Sequence, residues 1–152
     1  MSANNTAVQR RSPHRTQWAA QFAAASELCK RGYEVAFTMG NHPTADLMVY
    51  SPKECPFIID VKGLYRRNYW LVKEKPIRHD VFYIFALVPE GQPNRFFILN
   101  QAEVNAGVSA EIRRARAAAL AKGRSSDEIR DFPGVAFSFA EGFEDAWHKL
   151  PA

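Results

Sequence analysis

Residues 45–63 read ADLMVYSPKECPFIIDVKG, and the fold turns on two short apolar runs separated by a proline-flanked turn. Ala45 to Ser51 and Phe57 to Lys62 have the β-branched and aromatic content of strands, and Pro52 to Pro56 has the composition of a turn. The stretch therefore predicts a paired hairpin. Successive side chains in a strand point to opposite faces, so Asp60 and Lys62 share a face while Val61 points into the core. Counting inward from the turn brings Asp46, which opens the first run, level with Asp60, near the end of the second. Polar groups at the ends of apolar strands lose hydration unless something compensates. A cation bridging the two acids does so, and so does an ion pair from Lys62 to either acid. Two carboxylates and a strand carbonyl make an all-oxygen pocket suited to Mg²⁺.

Upstream, Ser12-Pro13 is a helix start, with serine as the cap and proline at the first helical position. From Pro13 to Arg31, Trp18, Phe22, Ala25 and Cys29 recur at helical spacing with Leu28 beside them, and Gly32 follows as a C-cap. Tyr33 to Thr38 alternates as a strand, and residues 39–43 form a turn. Downstream, Asp80 to Val88 is nearly continuous in β-branched and aromatic residues, as in a strand buried on both faces. Arg95 to Leu99 is a further strand. Ser109 to Lys122 reads as a helix capped by Ser109 and stopped by Gly123. A last helix from about Glu141 to His148 places Phe143 and Trp147 at i, i+4. The expected organisation is a flexible basic tail over residues 1–12, holding Arg10 and Arg11, and one α/β domain over 13–150 with helices packed on a sheet.

The chain of 152 residues is 47% hydrophobic, enough for one real core, and its formal charge of +4 suits a polyanionic partner without requiring one. Cys29 and Cys55 have no neighbouring Cys or His at ligand spacing and read as buried thiols in a reducing compartment. Residues 1–15 contain no apolar signal core, and the longest apolar run, Val81 to Val88, is too short to cross a bilayer. A soluble cytoplasmic protein with no membrane partner is expected.

The order helix, GYEVAFT, ADLMVYS, FIIDVKG resembles the PD-(D/E)XK nuclease superfamily, which includes type II restriction enzymes and archaeal Holliday-junction resolvases. More narrowly it is similar to small bacterial members with an L-x-x-x-G-Y-x-V stretch, matched here by Leu28, Gly32, Tyr33 and Val35. The resemblance covers roughly residues 16–100. It implies an αβββαβ core with a mixed central sheet flanked by helices. It also implies Asp46 and Asp60 as ligands of Mg²⁺ or Mn²⁺, the Val61 carbonyl as a third ligand and Lys62 as the catalytic lysine. Hydrolysis of DNA phosphodiester bonds by a metal-activated water follows. Many members carry a helix glutamate where this chain has Gln21, which keeps an oxygen donor but supplies no charge. An inactive module that binds DNA or a protein is the alternative. The resemblance also allows a homodimer, or a subunit of a larger defence or mobile-element complex. Phe82, Tyr83 and Phe85 or the 132–143 segment are the expected contact surface for a second copy.

Just after Lys62, Tyr65-Arg66-Arg67-Asn68-Tyr69-Trp70 mixes cations with aromatics. Such a loop grips phosphates and stacks on an unpaired base, with Arg66, Arg67, Tyr69 and Trp70 as the candidate contacts. Its structural alternative has the aromatics closing the sheet edge. Arg113, Arg114 and Arg116 offer a weaker basic helix face, and His42 is the histidine nearest the acids.

Overall fold

The computed structural model describes residues 11–152. Within the expected basic tail, residues 1–10 lie outside that range. Helix α1 spans Pro13–Lys30, with Ser12 as its cap accepting a hydrogen bond from the Arg15 backbone N–H. Strands β1 (Glu34–Phe37), β2 (Leu47–Tyr50) and β3 (Pro56–Leu64) follow. After a short β4 (Trp70–Leu71) come β5 (Val81–Leu87) and β6 (Arg95–Asn100), then helix α2 (Gln101–Ala121). The chain closes with β7 (Gly134–Val135), a single turn α3 (Phe137–Ala140) and two 3-10 turns. The main sheet has the order β1-β2-β3-β5-β6; β3 and β5 run parallel and the other neighbours antiparallel. This is a mixed five-stranded α/β sheet flanked by helices.

Several boundaries and faces differ from the sequence reading. The inward face of α1 is Thr16, Ala20, Gln21, Ala24, Ala25 and Leu28, whereas Phe22 is 56% exposed and Cys29 is exposed. Close approach is the reason. A Cβ added at Gly63 in β3 would stand 2.8 Å from the Ala20 Cβ, so only small side chains fit between helix and strand here. Trp18 and Phe22 turn outward and stack on each other at 5.8 Å. Cys55 is exposed too, so neither free cysteine is the buried thiol expected of it.

The parallel connection from β3 to β5 contains β4, paired with β7, but no helix. The expected αβββαβ order therefore fails at its fifth element, where an extended segment replaces the helix. Helix α2 instead follows β6. It begins at Gln101, because Asn100, nine residues before the expected Ser109, is the cap and forms a reciprocal capping box with Glu103. Ser109 lies inside the helix and donates its hydroxyl proton to Glu74. The expected last helix is broken by Asp145, whose φ is +52°. That break sends Phe143 and Trp147 to opposite sides of the sheet.

Each face of the sheet has its own core. On one side, Ala20, Ala24 and Leu28 of α1 pack on Leu47, Val49, Ile59 and Val61. On the other, Trp70, Tyr83, Phe85, Phe97 and Phe137 fill the space beneath α2. Tyr83 and Phe85 are fully buried and offer no surface to a second copy; Phe82 is half-buried, and Phe132 is the exposed ring of the 132–143 segment. Among the described residues no helix is long and apolar enough to cross a membrane.

Candidate functional site

The register of the hairpin fixes the site. Leu47 pairs with Ile59, and one step further on the Asp46 N–H donates to the Ile59 carbonyl at 2.9 Å. Asp46 therefore stands opposite Asp60, as the sequence count predicts. There β2 begins, while β3 continues to Leu64 with β5 along only one of its edges. Buried strand backbone left without a partner costs stability, so side chains must close the other edge. Asp46 Oδ2 accepts from the Val61 N–H at 2.7 Å. Gln17 donates from Nε2 to the Val61 carbonyl at 2.6 Å and accepts at Oε1 from the Gly63 N–H at 3.2 Å. Gln21 in turn donates from Nε2 to Asp46 Oδ1 at 3.3 Å. The close approach of α1 over Gly63 lets Gln17 reach the strand and Gln21 reach Asp46.

Asp60 and Lys62 share a face, and the Lys62 ammonium lies 2.8 Å from Asp60 Oδ1. A second ammonium, from Lys75, stands 3.9 Å from Asp60 Oδ2. Asp60 is only 6% exposed, and its Oδ1 makes no directed hydrogen bond despite the nearby charge. The pair is thus a close Coulombic contact with poor angular geometry. Burial raises the Asp46 carboxyl above its ordinary range, the Val61 N–H opposes that shift, and the neighbouring Asp60 charge adds to it. Tyr83 lies beside Asp60 in the parallel register; burial, with help from the Asp60 charge, pushes its hydroxyl up to about 12.

Lys62 borders two clefts. One, of about 410 Å³, is lined by Asp60, Lys62, Lys73, Lys75, Val72 and Pro133 among others. The second, of about 480 Å³, includes Arg11, Gln17, Lys62, Tyr65, Asn68 and Tyr69. Of the loop residues proposed as nucleic-acid contacts, Tyr69 lines this second cleft and Arg66 is exposed, with its guanidinium 5.3 Å from the Tyr65 ring. Arg67 pairs with Glu141 at 2.6 Å and covers Phe137. Trp70 leaves the set: it is 1% exposed and stacked between Phe85 and Phe137, so neither ring face is open to a base. Arg114 and Arg116 are engaged by Glu111 and Asp131. His42 is a local brace whose Nδ1 accepts from the Thr44 and Ala45 N–H groups, just ahead of Asp46.

Sequence reasoning missed Gln17 and Lys75. Gln17 lies one helical turn before Gln21, and that spacing was the available signal. Lys75 had none, because the non-helical crossover alone brings it to Asp60. The donor set fits Mg²⁺ in kind: two carboxylates, one with a buried oxygen that faces the Lys62 ammonium without a directed hydrogen bond, and a carbonyl with a lone pair to spare. Among the described residues no three Asp, Glu, His or Cys side chains gather at ligand distance, so water would complete the shell. No family model, no curated protein and no solved structure matches the chain.

Proposed function

We propose that the chain is a divergent restriction-endonuclease-like phosphodiesterase that hydrolyses DNA with the help of Mg²⁺ or Mn²⁺. The observation that supports this reading best is Asp60 Oδ1, a buried carboxylate oxygen without a hydrogen bond, beside Asp46 and Lys62 where β3 outruns β2. Asp46, Asp60 and the Val61 carbonyl would hold the cation, which supplies Lewis acidity and a lowered water pKa when bound. Lys62 places a positive charge where charge develops on the phosphoryl oxygens. Gln17 and Gln21 hold the Val61 carbonyl and the Asp46 carboxylate in place, so the site is organised before substrate arrives. Cleavage of plasmid or branched DNA with Mg²⁺ or Mn²⁺ tests the proposal. Asp60→Ala is expected to slow it by about a hundredfold or more; equal activity in both proteins rejects it.

The Gln21 amide donating to Asp46, where an acidic ligand would repel it, favours a second reading: a module of the same fold that binds without cutting. Calorimetric titration with Mn²⁺ separates the two. Binding that disappears in Asp46→Asn supports the enzyme, and DNA binding indifferent to metal supports the module.

A further inference from the structure

The cleft on the Asp60 side contains more positive charge than the proposed chemistry uses. Lys62, Lys73 and Lys75 face a single lining carboxylate, Asp60, over an apolar wall of Leu71, Val72 and Pro133. Lys73 has no acidic partner among the described residues, and Lys75 stands at 3.9 Å from Asp60, a loose contact. Low-dielectric walls concentrate the field of such a group and draw in anions. The segment that presents the two lysines is also anchored with unusual care. Asn105 of α2 brackets the Lys75 backbone, accepting from its N–H at 3.2 Å and donating to its carbonyl at 2.8 Å. Gln101, 2% exposed, donates to Asn105 Oδ1 at 3.0 Å and accepts from the Tyr83 hydroxyl at 2.9 Å. A chain of amides, buried at Gln101, thus ties the crossover to the sheet through Tyr83.

We infer that Lys73 and Lys75 form a phosphate subsite for a nucleic-acid strand, lying beside the Asp46–Asp60–Lys62 centre and positioned by Asn105. This rests on the phosphodiesterase reading for what the neighbouring centre does, but not for the binding itself. Lys62 and Leu71 line both clefts, so a strand seated on the lysines passes Lys62 and continues toward Tyr65, Asn68 and Tyr69. Lysines on an extended segment take phosphates as point charges and read no sequence.

The test is fluorescence anisotropy of a short labelled single-stranded oligonucleotide with the full chain in EDTA, across a salt series. Lys73→Ala and Lys75→Ala are each expected to reduce the salt slope by about 0.7, and the double variant by about 1.4. A fourfold rise in salt then weakens the wild type about sevenfold more than the double variant. Lys75→Arg should retain the wild-type slope, and Asn105→Ala should match Lys75→Ala. Should Asn105→Ala fail to fold, the exposed lysine variants decide alone. Unchanged slopes overturn the subsite, and displacement of the strand by equimolar inorganic phosphate overturns its assignment to a strand. A reduced slope together with Asp60→Ala cleaving like wild type leaves the subsite standing and removes only the nuclease reading.

Discussion

The two faces of the sheet solve different problems. Beneath α2, large rings fill the volume: Trp70 stacks on Phe85 and Phe137, and Phe97 crowds both. Beneath α1 the contact is made by alanines against a glycine, which brings the helix axis close to β3. Each large ring on the aromatic face buries far more apolar area than an alanine does. The close alanine contact puts Gln17 within hydrogen-bonding distance of the free edge of β3 and Gln21 within reach of the Asp46 carboxylate. A thick core would hold those amides out of reach. The polar site straddles the sheet edge: Gln17 and Gln21 reach it from α1, while Asp60 and Lys62, alternating with Ile59 and Val61, lie on the α2 side with Ile58 and Leu64.

Breaking the aromatic face should give the largest stability effect. Trp70→Ala is expected to cost about 3–5 kcal/mol, measured by urea unfolding, because the stacked indole leaves a cavity that its ring neighbours cannot close. Gly63→Ala attacks the other face. Its Cβ would meet the Ala20 Cβ at 2.8 Å and the Thr16 carbonyl oxygen at 3.0 Å, so the helix must move away. About 1–3 kcal/mol of destabilisation is expected, with a disproportionate loss of Mn²⁺ binding by calorimetry as the Gln17 contacts lengthen. A loss of stability without any loss of metal binding would show that the close approach of α1 does not serve the site.

The smallest effect sharpens the comparison. Burial raises the Asp46 carboxyl above its unfolded value, so its contribution to stability is fully present below the ordinary carboxylate range and is lost as pH rises through the folded value. Asp46→Asn removes that dependence. The melting temperature of the variant relative to wild type should therefore climb as pH rises from about 4, and then level off, shifting by a few degrees at most. A difference that falls with pH would mean that the Val61 N–H, not burial, dominates the environment of Asp46.

Local pattern was enough for the strands and the hairpin. Alternation and turn composition place Asp46 level with Asp60, put Lys62 on the face of Asp60, and send Val61 inward, because these follow from the two-residue period of a strand. The true start of α2 was also legible, in Asn100 and Glu103 at capping-box spacing, although Ser109 drew the boundary instead. The helical faces were legible only in part: Ala25 and Leu28 face inward as their spacing predicts, and the larger rings do not. Period alone marks Trp18 and Phe22 as core residues, and only the distance between α1 and β3 turns them outward in favour of alanine. The fate of Trp70 followed the same logic, since a ring in a basic loop reads as a ligand contact until β4 and β7 carry it beneath α2.

The sequence by itself determined which acids would meet, since hairpin register is a local property of one short stretch of chain. Only the tertiary structure decided what surrounds them. Lys75 reaches Asp60, and Asn105 braces Lys75, across a crossover and a helix far apart along the chain. Contacts of that kind depend on how whole layers stack, and no periodicity in a single segment encodes them.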